Sequence, residues 1–119
     1  MKIEIHSIAD KGNLEKEIIW LKVLDDVEDL EYYMVSDTTY TDTNHISNEH
    51  RHIYWFPKKS VKKGDWIALR TKNGKQSSAS NKSGTITHTF YWNLGRTIWN
   101  KDGDSAILFN IKTWKAHSR

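Results

Sequence analysis

Short runs in which every second residue is apolar, each run stopping near a glycine, set the narrowest limits on this chain. Ile3 and Ile5 alternate with Glu4 and His6, and Ile19, Leu21 and Val23 with Trp20 and Lys22. Ile67 and Leu69 alternate with Trp66, Ala68 and Arg70, and Ile107, Phe109 and Ile111 with Leu108 and Asn110. A period of two sends successive side chains to opposite faces of a strand, whereas a helix repeats every 3.6 residues. The glycines at 12, 64, 74, 84, 95 and 103 fall between these runs, where the chain must turn. The runs are rich in β-branched and aromatic residues, which suit a pleated surface. They predict strands over 3–8, 17–24, 32–36, 52–56, 65–71, 87–91, 105–110 and 113–117. The acidic stretch Asp25-Asp26-Val27-Glu28-Asp29 reads as a loop, because Asp favours turns over helix interiors.

Seven or eight short strands with turn signals between them predict an all-β sandwich or barrel. The 119 residues suit a single domain over 1–119, long enough to bury about two thirds of its unfolded surface. Six tryptophans and 12% aromatic content argue against disorder. Two segments are expected to be mobile and exposed: 38–48, rich in Thr, Asp and Asn, and 72–84 (KNGKQSSASNKSG), which has no apolar residue larger than Ala79. With no cysteine, disulfide frameworks, thiolate nucleophiles and Cys-ligated metal sites are excluded. No apolar run reaches the length of a signal peptide or a membrane span. The expectation is a cytoplasmic protein with no membrane insertion.

The segment from His52 to Asn110 resembles a known family. An aromatic strand ends in Phe56-Pro57, basic residues follow, and Lys63-Gly64-Asp65 leads into the apolar strand starting at Trp66. After a polar loop come Phe90-Tyr91-Trp92, then Trp99-Asn100-Lys101-Asp102-Gly103-Asp104-Ser105-Ala106-Ile107-Leu108. This order is similar to the lamin tail domain family in its prokaryotic, stand-alone form. The residues that carry the likeness are Phe56, Pro57, Gly64, Trp92, Trp99, Asn100, Gly103, Asp104, Ala106 and Leu108. The N-terminal half fits more loosely, with Tyr33 where the family usually has another aromatic, often Trp. The resemblance implies an immunoglobulin-like sandwich of about seven to nine short, mostly antiparallel strands. It also implies a structural or interaction module without catalysis. In animals such domains end nuclear intermediate-filament proteins; in prokaryotes they often accompany secreted or membrane-associated enzymes. From the residues alone, Asn100-Lys101-Asp102-Gly103 between apolar runs reads as a hairpin turn.

Candidate chemistry is sparse. His45, His50 and His52 lie close together, but a zinc site needs three or four convergent ligands and nothing nearby completes one. Asn100, Asp102 and Asp104 lack the glycine placement and distal Glu of a calcium loop. Ser77, Ser78, Ser80 and Ser83 fall in the segment expected to be mobile, and a loose nucleophile is a poor one. No catalytic residue, metal or cofactor is expected.

Charge is the more suggestive feature. Residues 1–50 carry 12 acids and 4 lysines, net −8; residues 51–119 carry 14 Lys or Arg and 3 Asp, net +11. Such asymmetry hints at a polyanionic partner. Lys58, Lys59, Lys62 and Lys63 precede strand 65–71, and Lys72, Lys75 and Lys82 follow it. Seven strand residues span about 23 Å, so the two groups are expected at opposite ends, with Arg70, Arg96 and Lys101 as bridges if they face the same side. Tryptophan supplies a further theme: strict alternation sets Trp20 and Trp66 opposite their buried neighbours, so some rings must be exposed. The reading is a non-catalytic interaction module that binds a protein partner through a sheet face or loops. Nucleic acid or another polyanion held by the lysine-rich turns is the alternative, and carbohydrate stacked on exposed Trp the second.

Overall fold

The computed structural model describes residues 1–39, 51–99 and 104–118. The fold is the expected all-β sandwich, with eight strands in two sheets among the described residues. They are β1 (Ile3–Ala9), β2 (Ile18–Val23), β3 (Tyr33–Thr39), β4 (Ile53–Trp55), β5 (Trp66–Arg70), β6 (Ser77–Ser80), β7 (Ile86–Tyr91) and β8 (Asp104–Asn110). The larger sheet has the order β1-β2-β5-β7-β6 and the smaller β4-β3-β8. All neighbours are antiparallel except β5 and β7, which run parallel with Trp66 opposite Thr87 and Arg70 opposite Tyr91.

The period-two pattern decides which side chains meet between the sheets. Ile19, Leu21 and Val23 of β2, Ile67 and Leu69 of β5, and Phe90 of β7 point inward and are buried with Val35, Phe56 and Trp99. Ala106 and Leu108 of β8 pack against this core. Each fully buried side chain of this size contributes roughly 1.5–3 kcal/mol. Ile3, Ile5 and Ile8 break phase by one residue, and the structure resolves this with a bulge: the register of β1 on β2 shifts between Ile5 and Ser7. The extra residue is His6.

The segment 72–84 differs from expectation. It is exposed, but it contains β6, which pairs with β7 from Ser77 opposite Thr89 to Ser80 opposite Ile86. The short strand forms because β7 offers a ladder, not because it has an apolar face of its own. Residues 113–117 form no strand. The last described ladder-like bond there runs from Ile111 N–H to Tyr32 O, and Trp114 folds back to pack edge-on against Trp55 and Tyr32. Residues 97–99 form no strand either, and the turn expected over 100–103 lies outside the described residues. The acidic stretch is a loop, as expected, and ends in one turn of 3-10 helix, Leu30–Tyr32, capped by Asp29 accepting from Glu31 N–H. Strand β3 extends through Thr39, three residues past the expected end; the rest of segment 38–48 lies outside the described residues.

Candidate functional site

The outer face of the five-stranded sheet is where alternation delivers large rings. Trp20 and Trp66 oppose the buried Leu21 and Ile67 on neighbouring strands and stand half-buried, with ring centroids 6.2 Å apart and planes at 90°. The bulge tips His6 toward them, its ring 5.0 Å from Trp66 and edge-on. Lys22 extends over the Trp66 ring with Nζ 4.3 Å from its centroid, and the same ammonium donates to Gly64 O at 3.2 Å. An ammonium over an indole face is held by the ring quadrupole. These rings wall a groove of about 510 Å³ whose lining includes His6, Trp20, Trp66, Lys82, Ser83 and Thr87.

The far wall depends on two turns that touch. Gly64, at φ +92°, occupies the left-handed region before β5, and a Cβ there would lie 3.1 Å from Thr85 Cγ2. Glycine thus serves both the turn and the close approach. The partner turn, 81–85, is organised by Asn81, whose carbonyl accepts from Ser83 N–H and Thr85 N–H while its amide donates to Thr85 and Thr87 hydroxyls.

Behind this wall lies a chain of polar groups. Asp65 accepts from Lys62 N–H at 3.0 Å and Ile86 N–H at 3.1 Å, and pairs with His88 Nε2 at 2.8 Å. His88 Nδ1 lies 2.9 Å from Ser78 Oγ. An ionised Asp65 takes its hydrogen bond from Nε2–H, and the other ring nitrogen is left to the Ser78 hydroxyl. Burial works to raise the Asp65 carboxyl, but the His88 and two backbone hydrogen bonds outweigh it and hold it below the usual carboxylate range. The chain bolts β5, β7 and β6 together, so Ser78 is not the loose residue that a mobile 72–84 segment implies. The geometry resembles a nucleophile–base–carboxylate relay, with Ser78 exposed on the edge strand β6. A second buried carboxylate, Glu17, accepts from Gly12 N–H, Thr71 Oγ and Ile98 N–H, joining three segments at the opposite end of the sheet.

The lysines do not divide as the linear order suggests. The β6–β7 hairpin brings Lys82 back to the Lys62-Lys63 end of β5, while Lys72 and Lys75 stay near the other end with Arg70. Lys72 there approaches Glu15 at 3.6 Å. Arg96 is exposed in the loop after β7. Lys58 and Lys59 run beside the acidic loop: Val27 and Val61 exchange both backbone bonds, Leu30 N–H donates to Lys59 O, and Lys63 N–H donates to Asp26 Oδ1. Part of the −8 and +11 split therefore lies side by side and compensates locally.

The residues that carry the family likeness are largely structural here. Phe56 and Trp99 are fully buried, Trp92 packs on Trp99 with centroids 6.1 Å apart, and Pro57 is partly exposed. Ala106 and Leu108 line the core from β8, where Asp104 is the first residue. Asn100 and Gly103 lie outside the described residues. His52 is engaged by Asp37, through its N–H at 2.8 Å and its ring Nδ1 at 3.0 Å. Among the described residues, no three His, Asp or Glu gather to hold a metal ion; His45 and His50 lie outside them. No described helix is long and apolar enough to cross a membrane. No family model matches this chain, and neither a curated protein nor a solved structure matches it.

Proposed function

We propose that this chain is a non-catalytic binding module that engages a partner macromolecule through the outer face of its five-stranded sheet. The observation that carries the reading is the groove itself, lined by two perpendicular indoles and an imidazole on strands packed over the core, with the Lys22 ammonium held on the Trp66 ring beside it. Aromatic rings set in a concave site with polar groups at the rim are the usual composition of a recognition surface. The resemblance of 52–110 to the lamin tail domain supports the same role, since that family serves in interaction and scaffolding. Retention of native-lysate material on the immobilised protein tests it. Material held by the wild type and by a Trp55→Ala control is expected to be lost from Trp20→Ala/Trp66→Ala. Equal retention by all three overturns the reading.

A further inference from the structure

If the groove is the docking site, as proposed above, its charge and shape name the ligand: we infer that it takes single-stranded nucleic acid. The bases lie against the Trp20–Trp66 corner and the phosphates follow the cations of the sheet face. The first observation is convergence. Gly64 meets Thr85, and Lys22 Nζ bonds Gly64 O, so the turns bearing Lys62, Lys63 and Lys82 adjoin at one end of the groove, around the Lys22 ammonium. Lys62, Lys63 and Lys82 are exposed.

The second is the sign of the face. The outward positions of the five strands carry Lys22 and Arg70 as cations and Glu4 as the single acid. From Trp66 to Arg70 the strand covers about 13 Å, so cations bracket the aromatic corner along β5. The path leads away from the acidic loop, which flanks Lys63 through Asp26.

The third is shape. A right-angled pair of indoles offers one ring to stack on and another to close the side, an arrangement every base satisfies through its π face. Sheet faces bearing aromatics read single strands in this way, while bases stacked inside a duplex cannot reach such a corner. The remaining lining is Ser7, Ala9, Asn81, Ser83 and Thr87. Both ends of the Asn81 amide are taken up inside the 81–85 turn, which leaves hydroxyls rather than a free bidentate amide or guanidinium to select one base. Binding is therefore tolerant of sequence.

Titration of the full chain with labelled oligothymidylate and oligouridylate, followed by anisotropy and by tryptophan fluorescence, tests the inference. Binding with quenching is expected at about 20 mM salt, weakening linearly on a log–log salt plot. Trp20→Ala/Trp66→Ala is expected to lower affinity about tenfold or more. Lys62→Ser/Lys82→Ser changes two exposed positions without touching the core and is expected to reduce the salt slope by about 1.4. A duplex of the same sequence is expected to bind more weakly and without quenching. Absence of binding at low salt overturns the inference, as does binding of heparin and oligonucleotide alike with no effect of the Trp changes. If oligonucleotides fail while lysate material still depends on Trp20 and Trp66, the ligand is wrong and the docking face stands. If neither depends on those residues, the docking face falls too.

Discussion

Large aromatic side chains reach the surface on both sheets, yet the two outer faces use them differently. On the five-stranded sheet Trp20 and Trp66 are half-buried, Trp66 has His6 and Lys22 against its ring, and a groove remains open between the two indoles and the 81–85 turn. On the three-stranded sheet Ile53 and Trp55 are about half exposed, at 52% and 47%, and half-buried Met34 and Ile107 extend the same apolar face. There the chain supplies its own cover. Trp114 lies 5.2 Å from Trp55 and 5.1 Å from Tyr32, edge to face in both cases, and the Trp55 indole N–H donates to Glu31 O at 2.7 Å. Exposure alone would favour the small sheet as the docking face. Accounting for what each ring already touches favours the large one.

Substitutions can break that contrast, and the largest effect is expected where the groove wall is bolted. Asp65→Asn removes the charge that holds His88 and weakens the bonds to Lys62 and Ile86, and is expected to cost about 2–4 kcal/mol in denaturant unfolding. Groove-dependent binding should fall with it, while the Tyr32–Trp55–Trp114 cluster stays packed until the whole chain unfolds. The same carboxylate predicts an acid limb. Its folded pKa lies below its unfolded one, so its contribution is full above the unfolded value, about 3.9, and is lost as pH falls through the folded value. Stability measured between neutral pH and strong acid should fall in that window for the wild type and be flatter for Asp65→Asn.

Next in size, Trp114→Ala uncovers Trp55 and Tyr32. A loss of about 1–2 kcal/mol is expected, from lost area and two edge-to-face pairs, together with increased binding of a hydrophobic dye. If Trp114→Ala left dye binding unchanged, the small sheet would not be self-covered and the contrast would collapse. The smallest effect is expected for Lys22→Met, which keeps the apolar stem and removes the ammonium. About 0.5–1 kcal/mol of stability should be lost with the Trp66 contact, and affinity for an anionic ligand should drop without disturbing the sheet.

How much of this the amino-acid order discloses depends on how local the physics is. The inward set Ile19, Leu21, Val23, Ile67 and Leu69 is readable because alternation is a property of each run by itself, and the outward Trp20 and Trp66 follow from it. Strand β6 is not readable: Ser77-Ser78-Ala79-Ser80 has no apolar face, and its order comes from the β7 ladder and from a hydrogen-bond chain that links Ser78 through His88, 10 positions on, to Asp65, which precedes β5. The position of Lys82 depends on that hairpin, so the gathering of lysines was hidden with it. Residues 113–117 mislead in the opposite sense, because Trp114 is drawn to other aromatics rather than to a strand partner. Glu17 gave no signal either, since the groups it binds at Thr71 and Ile98 are 54 and 81 residues away.

The bulge at His6 has a consequence beyond aiming one ring. β1 is an edge of the larger sheet, and a regular edge strand is a template on which another chain can extend the ladder. One extra residue midway breaks the even spacing of its outward amides and carbonyls and adds local twist, so a second copy cannot dock there in continuous register. Deleting His6 would leave Ile3, Ile5 and Ile8 in simple alternation. The resulting strand would be straighter and better matched to its own core, and its bare edge would be open to self-association.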